Sequence, residues 1–427
     1  MIKAIFLTLL LAYGLGALPF DLYKMQGEES NHTHTILLVG GIHGNEPGSY
    51  FAPSVLVQNY TITQGSLWVI PALNSPSIVK NARGIYGDMN RKFKTLRSSD
   101  KDFAKVTAVQ KLILNPFVDM VLNLHDGHGF YREKWKTSLQ NPKAWGQSSV
   151  IDQSNLPTNS KFSNLYEIAK IVNAKVNKNI EAKHHYFSVK NTNTKAQNKE
   201  QQNSLTYFSI VNNKPSFAIE TSKHIKELSL KVLYQLRTIE AYMAVANIKF
   251  ERNFELTQDA VEKILLQFGA VSINDSITLH LEDIKSYVGF FPLQKKGNRL
   301  LFAHPLGAYS YSRGLYHLHI GNKHITSLKP DYFAIEHYEP LISAEVDGKR
   351  RNITLGEYIQ VSDSFQINPP KNIRVNIIGY GNRSDGYKKV SKKSIQNKFA
   401  INKKETSFRV EFYKKNKFLG MAIMQFQ

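Results

Sequence analysis

Thr35-Ile-Leu-Leu-Val-Gly40, running without a break into Gly41-Ile42-His43-Gly44-Asn45-Glu46-Pro47-Gly48, is the stretch that decides the fold. Its first part is continuously apolar rather than alternating, the pattern of a strand buried on both faces. Its second part is rich in turn formers and leads into an apolar helical pattern. A buried strand, a turn and a helix in that order open an α/β domain.

Three further segments repeat the pattern. Ser66 to Ile70 ends at Pro71-Ala72-Leu73-Asn74, Val118 to Leu124 runs into His125-Asp126-Gly127, and Ser216 to Ile219 runs into Glu220-Thr221-Ser222. Helix-like periodicity covers Lys101 to Leu114, Asn164 to Val176 and residues 225 to 248. Short apolar strands alternating with helices predict an α/β fold with a mixed, largely parallel sheet over residues 18–250. After about residue 270 the texture turns to alternating stretches such as Ser276 to Leu281 and Leu315 to Ile320. These predict two small all-β, sandwich-like domains, 251–335 and 336–427.

The polar residues fall in a telling place. His43, His125 and Glu220 each follow a predicted buried strand, and in open α/β sheets the carboxyl edge is where ligands bind. His43 and Glu46, three residues apart at the start of a helical stretch, reach the same side of a turn. Imidazole and carboxylate are both good zinc ligands, and His125 adds a third from another strand end. Three protein ligands leave one position open, as in catalytic zinc sites. Alone, His-x-x-Glu is a weak signal, since many unrelated helices carry it as a surface or capping pair.

Composition narrows the classes. The chain has 427 residues, no cysteine and a formal net charge of +21, so any metal must sit on His, Asp or Glu. Lys3, the apolar run Ala4 to Ala12 and the small residues Gly14, Gly16 and Ala17 read as a cleavable signal peptide over residues 1–17, which predicts a periplasmic protein. No segment is long and apolar enough to predict a transmembrane span. From Lys371 onward, 14 Lys and Arg face 3 Asp and Glu, a surplus of 11. On an exported chain that surplus points to an anionic polymer such as the wall, or a membrane surface, rather than nucleic acid, or to a solvated basic face.

Gly41-Ile-His-Gly-Asn-Glu46, the block Asn81-Ala-Arg83 through Asp88-Met-Asn90-Arg91, Leu122-Asn-Leu-His125 and Phe217-Ala-Ile-Glu220 together resemble the zinc carboxypeptidases, the funnelin-type metallocarboxypeptidases. The four motifs occur in order from about residue 35 to 225. The block around Arg83 also resembles the family's deacylase branch, the succinylglutamate desuccinylase and aspartoacylase group. A zinc carboxypeptidase domain followed by two β domains in a basic exported chain resembles the family's peptidoglycan DL-carboxypeptidases of helical Gram-negative bacteria. Members of that group can carry Gln where this chain has His43.

The resemblance implies one Zn²⁺ on His43, Glu46 and His125, with Glu220 as general base and Arg83 stabilising the oxyanion. It implies Asn90 and Arg91 as holders of the substrate carboxylate, and Asp88 as a residue orienting the Arg or His partners. Trp145 and His128 are expected in the substrate cleft, although a core position suits Trp145 better, and the β domains are expected to meet the wall or other cell-shape proteins. Tyr207 stands loosely where the family has a mobile tyrosine. The substrate implied is the peptidoglycan muramyl tripeptide, cleaved between D-Glu and meso-diaminopimelate to leave a dipeptide, with an effect on cell shape. Two alternatives stay open: an N-acyl amino acid deacylase, and a non-catalytic wall-binding protein.

Overall fold

A computed structural model describes residues 18–28, 34–158, 161–381 and 388–427. The expected signal peptide, residues 1–17, lies outside the described residues. The chain divides into two compact units: residues 1–74, 83–226 and 234–253 form the first, and residues 75–82, 227–233 and 254–427 the second.

The first unit is built on a seven-stranded sheet. In chain order its strands are β1 (Tyr23–Gln26), β2 (Thr35–Val39), β3 (Ser66–Ile70), β4 (Met120–Gly127), β5 (Ser148–Ile151), β6 (Ser188–Asn191) and β7 (Ser216–Ser222). In space they run β1-β3-β2-β4-β7-β5-β6. The pairs β2–β3, β2–β4, β4–β7 and β5–β6 are parallel, while β1–β3 and β5–β7 are antiparallel. The sheet is therefore mixed and largely parallel. Every residue of β2, β3, β4 and β7 is buried, which explains why these strands read as unbroken rather than alternating.

The helices include α1 (Gly48–Asn59), α2 (Phe103–Ile113), α3 (Leu165–Val176), α4 (Leu205–Val211) and α5 (Leu228–Val245). Leu37, Val39, Trp68 and Val121 of the sheet pack in one core with Val106, Val109 and Ile113 of α2. The connection after β2 carries the chain to β3 on one side, and the connection after β3 returns it to β4 on the other. The carboxyl ends of β2 and β4 thus flank a switch point, the natural crevice of an open α/β sheet.

Two local details differ from the sequence reading. β4 and β7 continue three residues past their apolar runs, so His125 and Glu220 lie within strands rather than after them. The parallel register is the cause: Glu220 pairs with His125 and Thr221 with Asp126, and the ladder satisfies backbone groups whatever the side chains. His43 and Glu46 occupy a turn ahead of α1, not its first residues, because α1 starts only at Gly48. There Gly48 N–H donates to Asp126 Oδ2 at 2.9 Å, and a Cβ on Gly48 would meet Asp126 Oδ1 at 2.4 Å. The carboxylate so placed also suits the positive end of the helix dipole.

The second unit is β-rich. A short helix, Gln258–Ile264, precedes its first strands and was not expected. Ala270–Ile273, Ile277–His280 and Leu300–Phe302 form a three-stranded sheet. Tyr287–Leu293, Gly307–Ser312, Leu315–Ile320 and Lys323–Tyr332 form a four-stranded one. Beyond residue 335, a sheet around Ser407–Lys414 and Lys417–Phe426 faces another around Ile342–Val346 and Ser364–Asn368. Phe408, Val410 and Phe412 share one core with Ile342, Phe365 and Ile367, a sandwich arrangement.

Candidate active site

Two strands and a turn deliver the site. His43 and Glu46 come from the turn after β2, His125 from β4 and Glu220 from β7, where it pairs directly with His125. His43, Glu46 and His125 each present a ligand atom within 4.8 Å of the others, and all three are buried. Glu46 Oε2 lies 3.1 Å from His43 Nδ1 and 2.9 Å from His125 Nδ1. Ligands on a tetrahedral zinc at about 2.0–2.2 Å stand about 3.4 Å apart, so a slight opening admits the ion.

The donor chemistry fits a cation as well as the distances do. His43 Nδ1 is buried with no hydrogen-bond partner. A buried lone nitrogen is expensive unless something occupies it, and a metal ion is the partner this nitrogen lacks. His43 Nε2, by contrast, stands 2.8 Å from Asp88 Oδ1, which fixes the tautomer with Nδ1 free. At His125, Asn123 lies 2.9 Å from Nε2 through its amide nitrogen, while Asn123 Oδ1 is buried and unpartnered. Turning that amide over sets its oxygen against an Nε2–H donor and again leaves Nδ1 for a metal.

Electrostatics separate the two glutamates. Burial would raise the Glu46 carboxyl, yet His43 and His125 beside it hold it well below the usual range. Glu220 goes the other way: burial, together with the charges of Glu46 and Asp126, pushes it well above the usual range. Burial alone would lower His43, and Glu46 and Asp88 overcome it to raise it. One carboxylate is thus kept ionised as a ligand, and its neighbour is poised to carry a proton.

Arg83 donates from Nη1 to Glu46 Oε1 at 3.2 Å and from Nε to Asp88 Oδ2 at 2.9 Å. Asn90 accepts from Leu205 N–H at 2.9 Å, which ties the site to α4. Arg91 Nε donates to Glu200 at 2.8 Å. Glu200 is 75% exposed, so that ion pair is easily exchanged for another carboxylate. Glu46, Arg83, Asn90, Arg91 and Glu200 line one cavity of about 350 Å³ together with His43, His125 and Glu220, and so do His128 and Trp145. Tyr207 is not among the lining residues, whereas its neighbour Thr206 is. The structure therefore does not bring Tyr207 to the cavity.

Several lining residues escaped the sequence reading. Lys223 Nζ stands 3.2 Å from Glu46 Oε1, three positions beyond Glu220, but nothing in the sequence sets it apart from other lysines. Asp152 follows β5, a four-residue strand too short to recognise. Burial raises its carboxyl against hydrogen bonds from Thr194, Thr206 and Thr192. Thr192, Asn198 and Gln201 come from the polar stretch after β6, which is ordered by the helix Thr194–Gln197 and a short helical turn, Gln201–Asn203.

A mixed sheet carrying a His/Glu/His cluster, the one such cluster among the described residues, with a raised glutamate and two arginines lining the same cavity, is the arrangement of a zinc metallocarboxypeptidase. The comparisons refine this. The chain belongs to the family of carboxypeptidases controlling helical cell shape, whose catalytic family model matches residues 16–266. A second family model, the C-terminal domain of metallo-carboxypeptidase, matches residues 335–427. Among solved structures, the tripeptide-bound cell shape determinant Csd4 of Helicobacter pylori is 31% identical, with a TM-score of 0.92 over 95% of this chain and 100% of that one. The mDAP-bound form of the same protein, described as a D,L-carboxypeptidase, is 30% identical with a TM-score of 0.90, covering 95% of this chain and 100% of that one. A glutamine-to-histidine variant of Csd4 is 31% identical with a TM-score of 0.92, covering 96% and 100%. No match was found among curated protein sequences.

Proposed function

We propose that this metallocarboxypeptidase removes meso-diaminopimelate from peptidoglycan muramyl tripeptides, hydrolysing the bond to D-Glu and leaving dipeptides, and that it does so in the periplasm. The observation that carries the reading is the convergence of His43 Nδ1, Glu46 Oε2 and His125 Nδ1 beside the high-pKa Glu220. The tripeptide- and mDAP-bound forms of Csd4 support the choice of substrate. Periplasmic export rests on the sequence of residues 1–17. No described helix is long and apolar enough to cross a membrane.

A zinc ion on His43, Glu46 and His125 supplies Lewis acidity, which acidifies water and polarises the scissile carbonyl. Glu220 takes the proton of the attacking water and hands it to the leaving amine. Burial and the charges of Glu46 and Asp126 strengthen Glu220 as a base for the first of these transfers. Arg83 faces the oxyanion of the tetrahedral intermediate, and Asp88 holds the guanidinium in place. Arg91 exchanges Glu200 for the terminal carboxylate of the substrate, whose planar geometry its guanidinium matches. Asn90 stands beside it, and His128 and Trp145 form the wall of the cavity.

The test is release of diaminopimelate from muramyl tripeptide by the chain from residue 18, with N-acyl amino acids assayed in parallel. Release abolished by a chelator and by Glu220→Ala supports the reading. A zinc-loaded, folded enzyme that leaves the tripeptide intact but cleaves N-acyl amino acids sinks it in favour of the deacylase chemistry.

A further inference from the structure

The second unit contains a cleft larger than the active site, about 1130 Å³, lined in part by Tyr287, Phe290, Tyr332, Arg374, Glu411 and Tyr413. Its rim is built at a conformational expense. Phe290 has φ +51°, a backbone region that bulky side chains rarely enter, and it is 76% exposed. Its strand breaks register with Lys323–Tyr332 between Val288 and Phe291. Buried Arg409 holds the break, donating to Phe290 O at 3.0 Å and Gly289 O at 3.1 Å. Folding gains nothing from an exposed phenylalanine where glycine fits better, and strain held this firmly marks functional sites.

At the base, Glu411 is buried, and its Oε2 accepts from Tyr413 O–H at 2.7 Å. Glu411 Oε1 lies 3.3 Å from Arg409 but makes no hydrogen bond. That oxygen is enclosed beside Arg409, and the exposed carboxylate lining the cleft is that of Asp331. Arg374 stacks over the Tyr413 ring at 4.3 Å, and Lys285 and Lys398 also line the cleft. Four basic residues line it against Asp331 and Glu411.

The aromatic surface continues outside. Tyr332, on the rim, places its hydroxyl 3.4 Å from that of Tyr311. Tyr311 and Tyr309, one pleat apart on one strand, both lean on Tyr316, with ring centroids 4.9 and 6.2 Å away. Tyr309 and Tyr311 are 46% and 56% exposed. Tyr309, Tyr316, Tyr311 and Tyr332 thus form one run of tyrosine rings that reaches a cationic cleft, which Phe290 also lines.

We propose that this track and cleft bind the glycan strand of peptidoglycan, an amino-sugar polymer bearing carboxylates, and so hold the catalytic unit on the wall. The proposal rests on the peptidoglycan reading of the active site. Pyranose rings present one apolar C–H face that stacks on aromatic rings, and their polar edges need hydroxyl, acceptor and cation partners. Tyrosine hydroxyls, the Asp331 carboxylate and the Arg374, Lys285 and Lys398 charges supply all three. The cations meet the carboxylates of the lactyl groups wherever the stem peptide has been removed and the carboxyl is free, and the surplus of 11 positive charges from Lys371 onward extends the attraction. A protein partner favours an apolar centre, which this mixed cleft lacks.

The experiment is calorimetric titration of the chain with peptide-free glycan strands, which carry nothing for the active site to cleave. Phe290→Gly keeps the φ +51° backbone comfortable, and Tyr311→Ala removes an exposed ring. Each is expected to weaken binding at least fivefold. Turnover of soluble muramyl tripeptide should stay within twofold, and release from intact sacculi should fall. Absence of binding by the unaltered chain, or equal binding by both variants, overturns the proposal. So does binding of a protein, but not of strands, that the same variants abolish. Strand binding without tripeptide turnover would remove the substrate assignment and leave the wall contact standing.

Discussion

Asp88 Oδ1 stands 2.8 Å from Nε2 of His43, and its other oxygen accepts from Arg83. One carboxylate therefore orients both a metal-ligand candidate and the candidate oxyanion arginine. The proximity of His43 and Arg83 holds the Asp88 carboxyl far below its ordinary range despite partial burial. It is ionised at every working pH, and a charged acceptor on Nε2 strengthens the Nδ1 donor.

Asp88→Asn keeps the shape and loses the charge. Metal affinity is expected to fall about 10–100-fold, as for other partners of ligating histidines. Competition with a coloured chelator reads this directly. An affinity equal to that of the parent would remove the orienting role from Asp88.

Glu220→Gln separates catalysis from stability. Activity on muramyl tripeptide should fall about 10²–10⁴-fold, the usual weight of general acid–base catalysis. Zinc should still bind, since Glu220 is not in the ligand set. The metal-free variant should melt at a higher temperature than the parent, because burial and the charges of Glu46 and Asp126 oppose the ionised carboxylate. A lower melting temperature would mean that Glu220 is held by favourable contacts instead.

The second unit should be acid-sensitive through His304. Burial lowers its pKa to about 4, helped by the charge of Lys323, and Leu306 N–H donates to its Nδ1 at 3.1 Å. That bond requires a neutral ring. As pH falls below 6.5 the unfolded chain takes up the proton first, so stability is complete above 6.5 and declines until about pH 4. The loss is at most about 3 kcal/mol. His304→Asn, with Oδ1 replacing Nδ1 as acceptor, should flatten urea-unfolding midpoints between pH 6.5 and 4. An unchanged slope would place the acid sensitivity elsewhere.

Apolar runs were legible and polar strand ends were not. Ser66–Ile70 matches its predicted limits and Thr35–Val39 ends one residue before the predicted Gly40, because both strands are buried on both faces. His125 and Glu220 were placed past their strands because no apolar signal reveals that a ladder continues through Asp126 and Thr221. Motif order still named the residues that line the cavity. It failed at Tyr207, one position from the lining Thr206, since periodicity cannot fix the rotation of the short helix Leu205–Val211 to a single residue. β5 and Asp152 were invisible for a simpler reason: Ser148–Ile151 holds too few apolar residues to stand out.

Gln235 shows what lies beneath motif recognition. From α5 it reaches under the site, donating to His125 O at 2.8 Å and to Thr221 Oγ1 at 3.3 Å, with no exposed surface. It thereby fastens β4 to β7 at the residues that carry the ligand and the base. Gln235→Met fills the same volume but leaves the buried His125 carbonyl short of a donor, which should cost about 1–3 kcal/mol. It should also lower kcat while leaving KM nearly unchanged, because the Glu220 to His125 alignment loosens without touching the carboxylate-binding arginines. Urea unfolding and steady-state kinetics on the same preparation check both halves. Lost stability with an unaltered kcat would mean that the parallel ladder alone sets that alignment.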